Sequence, residues 1–326
     1  MSKPMISVAP MMDWTDRHCR VFHRVMSREA LLYTEMVTSA AVVHGDRDRL
    51  LGYDPVEHPV AFQLGGSDPV ELAEAVKIAA SYGYNEINLN VGCPSDRVQS
   101  GCFGAVLMKS PDLVAECVAA MIAVSPVDVT VKCRIGVDDQ VPAEVLPKFF
   151  ETVSKAGVKR FAVHARMAWL QGLSPKENRE LPPLDYALVY QMKRDFPDLH
   201  LSINGGVKTL DEVQMHLDNG MDGVMIGRAA YHDPASVLLG LDARFYGGAV
   251  RSAHGAVEAM LPYIEAHLSR GGRLHQITRH MLGLFNGKPG ARTWRQILSM
   301  EATRDGAGPD VLLRALAQIG PESEAA

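Results

Sequence analysis

A cysteine held between Gly92 and Pro94 is the first residue in this chain whose setting invites chemistry. Cys93 follows an apolar run, so it sits on a constrained turn at the end of an extended segment. A thiol there can act as a nucleophile or, if it stays neutral, as a proton donor. No histidine stands beside it in sequence to generate a thiolate, which favours the donor role. The alternative is a buried structural cysteine, the commonest fate of a free thiol. That is the reading for Cys19, Cys117 and Cys133, while Cys102 shares the loop of Cys93 and stays open. Further on, Lys132 alternates with Arg134, and His164 with Arg166, so each pair shares one face of an extended segment. Asn204-Gly205-Gly206-Val207 and Gly227-Arg228 add two glycine sites. Glycine lets backbone N–H groups approach a phosphate, and a following helix N-terminus adds its dipole. A tight turn needing φ > 0 would explain either site alone; together they favour a phosphorylated ligand. Flavin mononucleotide (FMN) fits, with its phosphate on the glycines and a cation such as Lys132 for charge on the reduced ring.

Eight short apolar runs must position these residues: 5–11, 31–37, 59–65, 86–92, 128–136, 160–166, 200–205 and 222–228. Most are rich in Val and Ile, which suits strands buried on both faces. Helical patterns lie between them. The clearest is 68–83, with Asp68 as N-cap, Pro69 at N1 and Gly83 near the C-cap; 111–123 and 209–220 read the same way. Alternating strands and helices imply a parallel sheet with right-handed crossovers. Eight units over this length predict a closed (β/α)₈ TIM barrel, an α/β fold. A doubly wound sheet is the main rival, but it usually has a Gly-rich turn after its first strand, where this chain reads Ala9-Pro10-Met11-Met12-Asp13. Barrel enzymes build their sites from the carboxyl ends of the strands. Those ends carry Met11, Glu35, Gln63, Asn90, Cys93, Lys132, His164, Asn204 and Arg228. Beyond about 240 the strands stop, and four helical patterns follow. The expected division is a barrel over 1–240 and a small all-helical domain over 241–326, ending in a frayed tail at 321–326.

Length and composition agree with this. The 326 residues allow one barrel of about 250 residues and an appendage. Hydrophobic content of 47% and charged content of 22% are ordinary for a globular chain. No signal peptide is legible at the start, and no apolar stretch of about 18 residues predicts a membrane span. Five scattered cysteines without a CxxC pair predict reduced thiols in a cytoplasm and no metal site.

The segment 88–108, opening Asn-Leu-Asn-Val-Gly-Cys-Pro, resembles the signature of the tRNA-dihydrouridine synthases. The likeness extends over nearly the whole chain. Segments 9–20, 164–186 and 202–207 are similar to the A-type subfamily in particular, with Met167 standing where a basic residue is expected. The resemblance implies reduction of the C5–C6 double bond of uridine in the D-loop of tRNA, at positions 20 and 20a. It implies FMN held by Ala9, Pro10, Met11, Gln63, Lys132, His164, Asn204, Gly205, Gly206, Gly227 and Arg228, with NADPH (or NADH) as reductant. Hydride would pass from flavin N5 to uridine C6, Cys93 would protonate C5, and Asn90 would contact the flipped base. Lys176, Arg179, Arg292 and Arg295 would contact tRNA, and the enzyme is expected to act as a monomer.

Charge speaks to the RNA separately. The net charge is −5, yet residues 251–300 hold seven Lys or Arg against two Glu, a net of +5. Arg292 and Arg295 lie three apart and share a helix face. Such a face over a barrel mouth would attract phosphates, whereas an ordinary solvated face is the plain alternative. Trp294 on the same helix reads as core. Three rivals remain at this stage: a flavin barrel acting on a free pyrimidine, as in the dihydroorotate dehydrogenases; a tRNA-binding protein without catalysis; and a phosphosugar-metabolising barrel without flavin.

Overall fold

The computed structural model describes residues 3–95 and 101–320, so positions 96–100 of the cysteine segment and the tail 321–326 lie outside the described residues. Eight parallel strands close in sequence order: β1 (Met5–Val8), β2 (Leu31–Thr38), β3 (Val60–Gly65), β4 (Glu86–Val91), β5 (Val129–Arg134), β6 (Arg160–His164), β7 (His200–Asn204) and β8 (Gly223–Ile226), with β8 pairing back to β1. Each of the eight apolar runs thus coincides with one strand, β2 alone running one residue past its run to Thr38. Outside β2 and β3 the runs overshoot the strands at their carboxyl ends, because the terminal Gly, Pro and charged residues already belong to the loops that build the mouth.

The helices follow their local signals. Pro69, Pro111, Pro142, Pro234 and Pro309 each open a helix at N1. Asp68 accepts the Glu71 amide at the start of Pro69–Ala80, and Thr209 with Glu212 forms a capping box before Leu210–Asp218.

Alternation divides the strand side chains into two sets. Outward residues such as Phe62, Leu64, Ile87, Leu89, Val131, Cys133, Phe161 and Ile203 pack under the helices in one continuous core. The apolar part of the interior is small: Ala9, Leu31, Tyr33, Ala61, Ala162 and Met225. Hydrogen-bonded polar groups fill the remainder. Glu86 takes bonds from Tyr33 and Thr130, and Arg160 Nη1 lies 3.2 Å from its other oxygen. Above it, Asn88 bonds Thr130 at 2.8 Å and accepts from Gln63 at 2.8 Å; Gln63 in turn accepts from Asn90 at 2.9 Å. This ladder leads from the foot of the barrel to its mouth.

Helix Leu241–Tyr246 reaches back to that foot. Tyr246 Oη binds the Ile6 amide and the Pro4 carbonyl, and Asp242 accepts from Ser27 and the Arg28 amide. Of the later helices, Ala253–Ser269 and Leu274–Thr278 pack on helix Arg17–Met26, while Ala291–Met300 and Pro309–Leu316 pack on those two and on each other. The helical pattern after residue 274 is cut short at Thr278. Gly283 lies so close to the His232 carbonyl that a Cβ would collide with it, and Asn286 Nδ2 donates to the same oxygen. Docking against the barrel therefore overrides helical periodicity there. Trp294 is fully buried, edge-on to Phe285, with its N–H on the Met281 carbonyl, as core.

This contact is rich in histidine. His18 Nδ1 meets Tyr263 Oη at 2.9 Å, and His23, on the buried side of helix Arg17–Met26, has Nε2 3.5 Å from Cys19 Sγ. Burial pushes His18 down to about 4 and His23 down to about 3. Both are neutral in the folded chain, whereas the unfolded chain takes up these protons near pH 6.5. Stability present above pH 6.5 is therefore lost as pH falls toward 4 for His18 and 3 for His23. The thermal midpoint should drop over that window, and less so in a His18→Gln variant; a midpoint flat from pH 7 to 4 would contradict the assignment.

Candidate active site at the barrel mouth

Cys93 stands two residues beyond the end of β4. The Asn90 side-chain oxygen accepts the amides of Gly92 and Cys93, both at 3.0 Å, closing the turn. The Cys93 carbonyl accepts the Ala105 amide at 2.9 Å, anchoring the far side. The thiol is half-buried, with Ser95 Oγ 3.6 Å away. Cys19, Cys117 and Cys133 are buried, and burial pushes their thiols up, to about 12 for the latter two. Cys102 is exposed. Among the cysteines, Cys93 alone combines a strand-end position with a hydrogen-bonded turn.

Cations converge on this turn. Arg134 is almost fully buried and has three carbonyl partners: Gly92 at 3.0 Å, Met167 at 2.9 Å and Asn178 at 2.9 Å. One guanidinium thus ties the Cys93 turn to the loop after β6. Burial lowers Arg134 to about 10; burial, reinforced by Arg134, lowers Lys132 to about 8. Lys132 Nζ donates to Asn204 Oδ1 at 3.2 Å, and Asn204 Nδ2 donates to the Met225 carbonyl at 2.8 Å. Burial, followed by the charges of Arg134, Lys132, Arg166 and Arg179, keeps His164 well below its ordinary value. A neutral imidazole among positive groups suits an anionic ligand that also needs a hydrogen-bond partner.

The two glycine sites differ. Gly205 and Gly206 have φ of 112° and 76°, and a Cβ on either would press against His164, Leu184 or Tyr186 at 2.6–2.9 Å. The protein itself therefore requires glycine there. A Cβ at Gly227 would meet nothing within 4 Å, and φ is −99°. Nothing in the protein demands glycine at 227, and the open space beside it suits a ligand. The helix after it, Arg228–His232, is a single short turn, and the helix after Gly206 starts only at Leu210, so glycine backbone and side-chain cations would carry most of any anion binding. Arg228 pairs with Glu180 at 2.6 Å.

Ala9, Pro10 and Met11 continue from β1. The Ala9 amide binds the Ile226 carbonyl, and the Met11 amide binds Thr15 Oγ1 at 2.9 Å. Gln63 belongs to the interior ladder beneath Asn90. Two supports stand behind these residues: Glu35, which the sequence already places at a strand end, and Asn178, which it does not single out. Glu35 Oε1 accepts the Asp13 amide at 2.5 Å, where Asp13 adopts φ 66°. Asn178, fully buried in a run of charged residues, accepts the Trp169 amide at 2.7 Å. With charged neighbours on both sides, the sequence carries no burial signal at Asn178; only the fold buries it.

Lys176 and Arg179 are exposed on the loop after β6, around the short turn Glu177–Arg179. Arg292 and Arg295 are exposed on helix Ala291–Met300. Arg295 donates to Asn286, which holds the His232 carbonyl at the end of the turn begun by Arg228. Asp16 fixes the helical part to the rim: Arg279 lies 2.7 Å and His280 3.0 Å from its oxygens. Burial raises Asp16, but His280, the Cys19 amide and Arg279 outweigh it and hold the carboxyl well below the usual range. Among the described residues, no group of three or more His, Cys, Asp or Glu could hold a metal ion, and no helix is long and apolar enough to cross a membrane.

A closed parallel barrel with a thiol, a lysine, a neutral histidine and arginines converging at its carboxyl end defines a barrel enzyme. Solved structures agree on the fold: an old yellow enzyme homologue from Zymomonas mobilis (TM-score 0.52, 13% identity, 76% of this chain and 89% of that one) and a morphinone reductase (0.53, 14%, 77% and 87%). The family model for dihydrouridine synthase matches residues 7–319. Proteins named tRNA-dihydrouridine(20/20a) synthase are similar over nearly their whole length. The Shewanella oneidensis protein is 60% identical over 308 residues (94% of this chain, 91% of that one), and the Vibrio cholerae protein 57% over 317 (96% of each). The Escherichia coli K12 protein is 59% identical over 313 residues (95% and 90%). The chain belongs to the dihydrouridine synthase family and is an oxidoreductase acting on CH–CH bonds.

Proposed function

We propose that this chain reduces the C5–C6 double bond of uridine in the D-loop of tRNA, at positions 20 and 20a, using bound FMN and NADPH. The observation that carries this reading is the Cys93 turn, a half-buried thiol held by Asn90 and Arg134 at a cation-lined mouth. The residues present fit the cofactor. The space at Gly227, with Arg228 beside it, suits a phosphate, and Lys132 suits a ring that gains negative charge. Ala9, Pro10, Met11, Gln63, His164, Asn204, Gly205 and Gly206 would complete its surroundings. When bound, FMN supplies the hydride received by uridine C6, and NADPH restores its reduced state.

Cys93 then gives its proton to C5. Arg134, bonded to the Gly92 carbonyl, holds the turn that presents the thiol. Asn90 holds the turn and has one amide hydrogen beyond the Gln63 bond with which to meet a base. The uridine must leave its stack to come face-on to the cofactor. Lys176, Arg179, Arg292 and Arg295 would hold the D-arm phosphates, with the helices after residue 241 as the RNA-binding part of a cytoplasmic monomer. The direct test treats tRNA lacking dihydrouridine with the protein, FMN and NADPH, and maps by mass spectrometry any nucleotide that gains two hydrogens. Unchanged RNA would overturn the proposal. The helical footprint has its own test. Arg292→Ala with Arg295→Ala should lower the magnitude of the slope of log K against log salt by about 1.4–1.8, since each lost phosphate contact removes about 0.7–0.9. An unchanged slope would place the RNA elsewhere.

A further inference from the structure

Among the described residues Trp169 is the most exposed Trp, Tyr or Phe, with 44% of its surface in solvent. Exposure of this kind usually accompanies a loose loop, but this loop is tightly held. The Trp169 amide binds Asn178 Oδ1 at 2.7 Å, and Asn178 Nδ2 returns to the Trp169 carbonyl at 2.8 Å. On either side, the Leu170 amide binds Asp138 Oδ1 at 2.8 Å and the Ala168 amide binds the Gly136 carbonyl at 3.0 Å. Lys109 fixes Asp138 from outside at 2.6 Å. The indole is therefore presented by a rigid backbone, so a flat partner would not have to order it first.

The surroundings indicate the partner's charge. Lys176 and Arg179 share this loop and are exposed, while both nearby carboxylates are engaged. Glu177 accepts from the Ser174 amide and hydroxyl at 2.8 and 2.7 Å, and Glu180 pairs with Arg228. One loop thus presents exposed positive charge and an exposed aromatic ring, the combination that binds single-stranded nucleic acid by stacking. The loop is also continuous with the site, because Arg134 holds the Met167 and Asn178 carbonyls and the Gly92 carbonyl together.

We propose that Trp169 is a stacking platform for an unpaired base of the tRNA, next to the uridine that is reduced. The inference rests on the tRNA reading above and adds a contact made through a base rather than a phosphate. Loss of one base–aromatic stack weakens binding by about 5- to 150-fold. The probe is an unmodified tRNA transcript. Of the other tryptophans, Trp294 is buried and Trp14 is already stacked on Tyr231 at 4.7 Å. Protein fluorescence should be quenched by tRNA in the native chain and not in Trp169→Phe or Trp169→Ala. Trp169→Ala should lose affinity in the stated range with its salt slope unchanged, and Trp169→Phe should recover most of it. Equal affinity in Trp169→Ala, or quenching that persists without Trp169, overturns the proposal. Quenching that follows protein concentration instead of tRNA would put a second copy of the chain on the indole, and also overturns it. Dihydrouridine formation with an unquenched Trp169 removes this inference alone; a native chain with no affinity for tRNA removes the parent reading with it.

Discussion

Cys93→Ala is expected to form dihydrouridine about 10²–10⁴-fold more slowly than the native chain, the usual loss when one positioned general acid is removed. Bound flavin and NADPH oxidation should survive, since the substitution deletes only the thiol. The turn should also persist, because Asn90 Oδ1 holds main-chain amides that alanine still provides. Single-turnover measurement of dihydrouridine, with flavin absorbance followed in parallel, separates the two half-reactions. A product rate near the native one would end the assignment of Cys93. Loss of flavin from the variant would mean that the thiol supports the site rather than the proton transfer.

Glu57→Ala carries the largest expected loss of stability, about 3–5 kcal/mol, the range for breaking a buried ion pair from one side. The Glu57 side chain has no exposure, and its Oε2 lies 2.5 Å from Arg20 Nε. Removing it strands Arg20 in the interior. It also loosens the Asp54 amide, which Glu57 Oε1 accepts at 2.8 Å. Arg20 Nη1 holds the Thr15 carbonyl at 2.7 Å, and Thr15 Oγ1 takes the Met11 amide, so the damage reaches the β1 end of the mouth. Denaturant unfolding should show a lower midpoint at similar slope, with weaker flavin retention in the folded fraction. An unaltered midpoint would mean that water or another carboxylate replaces Glu57.

The barrel was legible because a strand buried on both faces makes a short, dense apolar run, and the turns between runs carry Pro, Gly and Asp. The strand-end residues were legible for the same reason: alternation put Lys132 with Arg134 and left Cys93 just past the last buried valine. What periodicity could not show is partner choice. Nothing in the spacing tells that Arg134 would serve three carbonyls, that Asn90 would cap the turn of Cys93, or that Arg228 would pair with Glu180. The contacts of Arg134 and Arg228 join residues 33–48 positions apart and exist only once the barrel closes, whereas the Asn90 cap is local, two and three residues on. The stretch after Thr278 failed differently. Its apolar periodicity is helical, but Gly283 sits where only glycine can approach the His232 carbonyl, and Gly287 and Gly290 adopt positive φ.

The hydrogen-bonded interior has a consequence for how this sequence can vary. The outer core is apolar, and cores of that kind accept swaps of similar volume at modest cost. The ladder from Glu86 through Asn88, Gln63 and Asn90 accepts no such trade, because altering one member leaves a buried donor or acceptor of the next without a partner. Paired changes along it should therefore depart strongly from the sum of single ones. Two layers of one barrel would thus drift at different tempos: the outside residue by residue, the inside only in concert.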